Sequence, residues 1–220
     1  MTKQILHQLS IWVVLIPVLI GIINYKGLNR DSRWIFLLVC IALVPQLMTA
    51  FVVNDQGIFN VAYNLYTPIE FLILYLVFRD KFRTGTKRVW VLMSAFLYTG
   101  FCLFYFVRFG IEQRFIGELV AVNNVIYMGW ILAVFRQEFN EDLTFIEVSN
   151  PFTWYLIGLI LYAPCTIITL SLYHYIRNPA TPIFKDLVII QDIFNILLYI
   201  LFAVGLFLRS KNYSRNSLHP

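Results

Sequence analysis

Glu70 is an acid in the middle of an apolar stretch, Ile58–Phe78 (IFNVAYNLYTPIEFLILYLVF), that is long enough to cross a bilayer. Read as a helix, Asn60, Tyr63, Asn64, Thr67 and Glu70 fall on one face, at i, i+3, i+4 and i+7 spacing. A carboxylate at that depth costs about 2.5–3.5 kcal/mol on insertion scales, so it is expected to face a bundle interior or a wet cavity. A second acid, Asp192, lies in another apolar stretch, where Asp192, Asn195 and Tyr199 share a face and Gln191 stands beside them. Two carboxylates in one interior could divide acid–base work, Glu70 as the acid and Asp192 as the base that activates water. The same groups could instead hold a small ligand. Buried Asn and Gln in spans also serve simply to join helices, at about 0.6 kcal/mol per hydrogen bond. Glu118, Lys185 and Asp186 sit at span ends, where water reaches them.

Other chemistries find little support. Cys40, Cys102 and Cys165 all fall inside apolar segments and no C-x-x-C spacing exists, so they are expected to act as small apolar residues. The histidines are only His7, His174 and His219, too few and too scattered for a zinc-dependent hydrolase. A retinal-binding protein needs a lysine near the middle of its seventh span, and the sole candidate, Lys185, stands at the edge. No metal and no cofactor is expected.

The elements that must position Glu70 and Asp192 follow from composition. Of 220 residues, 60% are hydrophobic and only 13% charged, against about 25% charged in soluble domains. The expected class is all-α, a polytopic membrane protein with a bundle of seven transmembrane helices. The spans are about Leu9–Tyr25, Trp34–Val53, Ile58–Phe78, Val89–Val107, Gly117–Phe135, Phe152–Tyr175 and Leu187–Leu208, one domain over 1–208. The first resembles a signal peptide at its start, but no small-residue cleavage site follows, so it is expected to be retained. Residues 209–220 are expected to form a disordered basic tail.

Lysine and arginine placement sets the orientation. Lys26, Arg30, Arg33, Arg79, Lys81, Arg83, Lys87, Arg88, Arg136, Arg209, Lys211 and Arg215 gather on one side. Lys3, Arg108, Arg114, Arg177 and Lys185 fall on the other. The N-terminus is therefore expected outside and the C-terminus in the cytoplasm, in the cell inner (plasma) membrane, multi-pass. Trp34, Trp90 and Trp154 stand at the cytoplasmic starts of spans, as interfacial indoles do. The net charge of +5 is explained by this topology, and no nucleic acid partner is implied. The longest connection, Arg136–Asn150, is acidic through Glu138, Glu141, Asp142 and Glu147 and is the candidate contact for a membrane or cytoplasmic signalling partner. Pro17, Pro45, Pro68 and Pro164 lie within spans and predict kinks. LYTP at Leu65–Pro68 and LYAP at Leu161–Pro164 look alike, but four residues are too few to define a repeat.

With that topology the polar residues crowd into the outer halves of the spans. Gln46 and Thr49 lie in the second, Asn60 and Asn64 in the third, and Asn123, Asn124 and Tyr127 in the fifth. Thr166 and Thr169 follow in the sixth, and Gln191, Asp192 and Asn195 in the seventh. The inner halves are dry. A polar pocket open to the outside is expected, with Glu70 near its floor and Asp192 as a plausible facing acid. The candidate pocket residues are Asn60, Tyr63, Asn64, Thr67, Glu70, Asn123, Asn124, Tyr127, Gln191, Asp192 and Asn195.

The stretches PFTWYLIGLILYAP and IIQDIFNILLYILFAVGLFL look like those of a group of small, uncharacterised seven-span membrane proteins of Bacteroidota. Their third span reads roughly Y-x-x-Y-x-x-I-E-F, matched here by Tyr63, Tyr66, Ile69, Glu70 and Phe71. Their seventh often reads N-I-L-x-x-I-L-x-A-x-G-L, matched by Asn195, Ile196, Leu197, Ile200, Leu201, Ala203, Gly205 and Leu206. Those relatives tend to carry His-x-x-x-Asn where this chain has Gln191 and Asn195, which puts a histidine-dependent chemistry in doubt. The resemblance implies a fold and no activity. The functional expectation is a small-ligand sensor or accessory subunit in the lipid bilayer, its ligand bound on the outer side. The alternative is a two-carboxylate intramembrane lipid hydrolase, similar to the lysoplasmalogenase scheme. A second alternative is a small-solute or proton-coupled transporter.

Overall fold

The computed structural model describes residues 2–51, 55–82, 85–140, 149–175 and 182–217. Those residues are helical throughout apart from their connections, and seven helical segments are long and apolar enough to cross a membrane. The first crossing is made of two pieces, α1 (Thr2–Trp12) and α2 (Leu15–Ile23). The break is set by Pro17, which has no N–H to return to Val13 and whose ring would press on that carbonyl. The carbonyl of Val13 accepts instead from the Ile16 N–H at 3.0 Å. The chain then turns through Tyr25–Gly27 into α3 (Arg30–Phe51). The span therefore begins earlier than expected, at Gln4 by length and composition.

Helix starts are fixed by local chemistry. Asn29 caps α3 through a bond from the Ser32 N–H at 3.1 Å. Asp55 caps α4 (Gln56–Arg79), accepting from the N–H groups of Gly57 and Ile58 at 2.9 and 3.2 Å. After α5 (Gly85–Phe109), Gly110 takes a φ of 72°, which an L residue adopts poorly, and its N–H closes the last turn on Phe106 at 3.0 Å. Following α6 (Gly117–Asn140), Asn150 caps α7 (Pro151–Tyr175), with proline at the first helical position as expected. The last helix, α8, runs from Pro182 to Ser217. The helix runs into the segment expected as a tail, with no proline or glycine between Arg209 and Ser217 to interrupt it.

The helices close into a bundle. α8 lies between α7 on one side and α1 and α2 on the other, α3 packs on α2 and α4, and α6 joins α4 and α5 to α7. Small residues allow the close approaches. A Cβ at Gly205 of α8 would collide with the Tyr155 ring and the Pro151 carbonyl of α7. Gly158 of α7 faces Leu198 and Leu201 of α8 in the same seam.

The two ends differ. One end is basic and cross-tied: Arg30 pairs with Asp80 at 3.0 Å, Lys81 pairs with Asp31, and Lys87 donates to Gln137 at 3.1 Å. Below it the core is aromatic and dry. Phe71 stacks on Tyr98 at 4.1 Å and tilts against Trp130 at 5.2 Å, and Phe78 meets Trp130 and Phe152. Around the outside runs a belt of exposed apolar side chains, with Val107 89% and Trp90 74% exposed. Such a belt suits a lipid surround and would be a liability in water. The middle of the acidic connection (141–148) and most of the sixth–seventh connection (176–181) lie outside the described residues. So do Asn54 and residues 218–220.

Candidate functional site

Glu70 sits two residues after Pro68 on α4 and is 9% exposed. One oxygen, Oε1, accepts from the Tyr66 hydroxyl at 3.3 Å, and Oε2 accepts from Asn123 Nδ2 of α6 at 3.0 Å. Tyr66 is one turn away on the same helix, so the i, i+4 register alone brings it to the acid. The carboxylate also interacts electrostatically with the hydroxyls of Tyr98, Tyr127, Tyr162 and Tyr199. Among these tyrosines Tyr66 alone has a hydrogen bond to the acid among the described residues; Tyr98 donates to the Leu119 carbonyl at 3.3 Å and Tyr127 to Asn124 Oδ1. Glu70 has no ion pair among the described residues.

Asn123 is completely buried, and its Oδ1 has no hydrogen-bond partner. An unpaired buried carbonyl costs about 1–3 kcal/mol, so this acceptor, one amide away from the Glu70 carboxylate, is the open valence of the site. The second span contributes Thr49, whose hydroxyl is 3.1 Å from the Tyr63 hydroxyl. Of the expected pocket residues, Glu70, Asn123, Tyr63 and Tyr127 belong to this polar cluster.

The other candidates are occupied elsewhere. Asn64 is 1% exposed and holds the α5–α6 connection. Its Nδ2 donates to the carbonyls of Ile111 and Arg114 at 2.9 and 2.8 Å, and its Oδ1 accepts from the Ile116 N–H at 2.9 Å. Asn60 does the same more weakly, donating to the Glu112 carbonyl at 3.0 Å. Thr67 returns its hydroxyl to the Tyr63 carbonyl, and Asn124 returns its amide to Val120 while accepting from Tyr127. Gln191 ties α8 to α7 through Thr166 at 3.0 Å and Cys165 at 3.7 Å.

Asp192 departs most from expectation. It does not pair with Glu70 but binds the first span, accepting from Ser10 Oγ at 2.7 Å and meeting His7 Nδ1 at 3.2 Å from both oxygens. Asn195, one turn on, donates to the Ser10 carbonyl at 3.1 Å. The facing-acid expectation fails because α1 occupies the face of α8 that Asp192 shares with Asn195. The sequence carries the signal as a second i, i+3 pair, His7 and Ser10, which straddles the expected start of the first span at Leu9. The tyrosines Tyr66, Tyr98 and Tyr162 were likewise not singled out as pocket residues. Tyr66 and Tyr162 hold the same place in LYTP and LYAP; Tyr66 hydrogen-bonds Glu70 and Tyr162 interacts with it electrostatically. The side chains of Glu138, His174 and Lys185 lie outside the description.

Among the described residues, no three His, Cys, Asp or Glu side chains are grouped to hold a metal. Comparison with protein-family models, curated proteins and solved structures finds no match.

Proposed function

We propose that the protein is a multi-pass inner-membrane protein that binds a small ligand at the Glu70 cluster, as a sensor or as an accessory subunit of a partner complex. The observation that carries this reading is the unpaired, fully buried carbonyl of Asn123 beside an acid that has no cation among the described residues. Glu70 offers charge and the unpaired Asn123 carbonyl offers an acceptor. Together they suit a small molecule that is positively charged or rich in hydrogen-bond donors. Ionisable groups inside a membrane bundle are retained for such roles more often than for stability. The ligand is proposed to arrive from outside, with the N-terminus outside and the C-terminus in the cytoplasm. The acidic α6–α7 connection is the proposed contact for a signalling partner. The resemblance to the seven-span Bacteroidota group rests on stretches of the third, sixth and seventh spans.

Two-carboxylate hydrolysis loses its main support, because Asp192 is held by Ser10 and His7. A through-pathway is disfavoured by the aromatic stack of Phe71, Tyr98 and Trp130 between Glu70 and the basic end.

The test is native mass spectrometry of the protein purified in mild detergent, beside Glu70→Gln and Asn123→Leu. The wild type is expected to carry a discrete bound molecule that both variants lose while remaining folded. Wild-type and variant proteins that are equally empty and equally stable would sink the reading and leave Glu70 as helix-joining polarity.

A further inference from the structure

Where the first span hands over to α3, a cavity of about 410 Å3 opens on the side of the bundle. Its rim carries Arg30 and Arg33, and its floor is Phe36, Leu37 and Cys40. The floor is shaped by packing: the Phe36 ring lies so close to Gly21 that a Cβ there would collide with it, and Tyr25 meets the same ring edge-on at 5.8 Å.

The charge around the rim is unbalanced. Of the cavity's lining residues Arg30 and Arg33 are the charged ones, and at this end of α3 and α4 Lys26, Arg30, Arg33, Arg79 and Lys81 outnumber Asp31 and Asp80 by three among the described residues. Asp31 is taken by Lys81, and Asp80 is shared between Arg30 and Arg79. Arg33 lies over the Tyr25 ring at 5.5 Å and has no acidic partner among the described residues. Trp34, a residue type that settles at the headgroup level, lies on the same cavity.

We propose that this cavity is a binding site for an anionic phospholipid, its phosphate held by Arg30 and Arg33 and one acyl chain laid along Phe36, Leu37 and Cys40. The gradient from basic rim to apolar floor fits an amphiphile. A soluble anion would use the rim and leave the floor unfilled. Arg30 and Arg33 stand at the start of a span-length apolar helix, and basic side chains at span ends attract anionic lipid. Nothing in this proposal depends on Glu70.

The full chain is mixed in detergent with equimolar phosphatidylcholine and phosphatidylglycerol and read by native mass spectrometry. The wild type is expected to retain phosphatidylglycerol about tenfold over phosphatidylcholine, and Arg30→Gln with Arg33→Gln to bring the ratio near one. Arg30→Lys with Arg33→Lys keeps the preference, and so does Arg108→Gln at the other end of α5. A second readout needs no variant. Cys40 is half-buried while Cys102 and Cys165 are buried, so phosphatidylglycerol, but not phosphatidylcholine, is expected to slow maleimide labelling of Cys40. Equal retention of both lipids, or Cys40 labelling indifferent to lipid, overturns the site. Displacement of the lipid by inorganic phosphate alone would assign the rim to a soluble anion and overturn it too.

Discussion

Asparagines do two different jobs in this bundle, and the difference lies in what each amide leaves unpaired. Asn64 spends three of its four hydrogen-bonding capacities on the backbone of the α5–α6 connection, so it acts as a substitute for secondary structure where the chain has none. Asn64→Ala would strand the buried Ile116 N–H, for which a loss of about 2–3 kcal/mol is expected, read as a lower unfolding midpoint in detergent. Asn60→Ala, removing one bond at the exposed rim, is expected to cost under about 0.5 kcal/mol. Equal effects from the two would mean that the connection is held by something other than Asn64. Asn123 is the opposite case, with one end bound to Glu70 and the other unpaired. In Glu70→Gln the new amide donor can turn to that free carbonyl, so stability is expected to hold or rise while ligand is lost. Gain in stability with loss of function is the pattern of a binding site, not of a structural one. If Glu70→Gln instead lowers the midpoint by as much as Asn64→Ala, Glu70 is structural. None of this division was visible in the sequence, where Asn60, Asn64 and Glu70 share one face. Spacing on a helix gives direction, but it does not say whether a connection or a cavity lies in that direction.

Helices were easier to read than their neighbours. The apolar stretches, the Asn150-Pro151 start of α7 and the kink from Pro17 all follow from local rules that act within one or two turns. The pairing of α1 with α8 does not, because it depends on which helix fills the face of Asp192. That contact is a latch of four residues, His7 and Ser10 on α1 with Asp192 and Asn195 on α8. Asp192→Ala is expected to loosen α1 without opening the α7–α8 seam, seen as faster hydrogen exchange in residues 4–12 and unchanged exchange around Gly205. Exchange that stays slow throughout would show that apolar packing alone holds α1. The seam itself is tested at its glycines. Gly205→Ala forces a methyl into the Tyr155 ring and the Pro151 carbonyl, a backbone atom that has no rotamer to yield, and about 1–3 kcal/mol of destabilisation is expected. Gly129→Ala meets nothing within 4 Å and is expected to be neutral or to gain up to about 1 kcal/mol. A Gly205→Ala protein as stable as Gly129→Ala would mean that α7 and α8 can separate cheaply.

Across the described residues, polarity is sorted by end. The cross-ties of Arg30, Asp80, Lys81, Asp31 and Lys87 all fall at one end. Asn60, Asn64, Thr49 and Tyr63 cluster toward the other, with Glu70 between them and the aromatic stack. Charge placement of this kind answers to the bilayer and not to the packing of particular helices. That independence makes the orientation separately testable. The native cysteines lie within the spans, two of them buried, so engineered cysteines at Glu112 and Lys87 report the two ends against a low background. In intact cells a membrane-impermeant maleimide is expected to label Glu112→Cys, and Lys87→Cys only after the membrane is opened. The reverse pattern would place the basic end outside, move the entry to the Glu70 cluster to the cytoplasmic side, and turn the proposed ligand from an external signal into a cytoplasmic metabolite. The topology expected from the loops puts twelve basic residues on the cytoplasmic side against five outside, so a reversed result would mean that the start of the first span, and not the loops, dictates insertion.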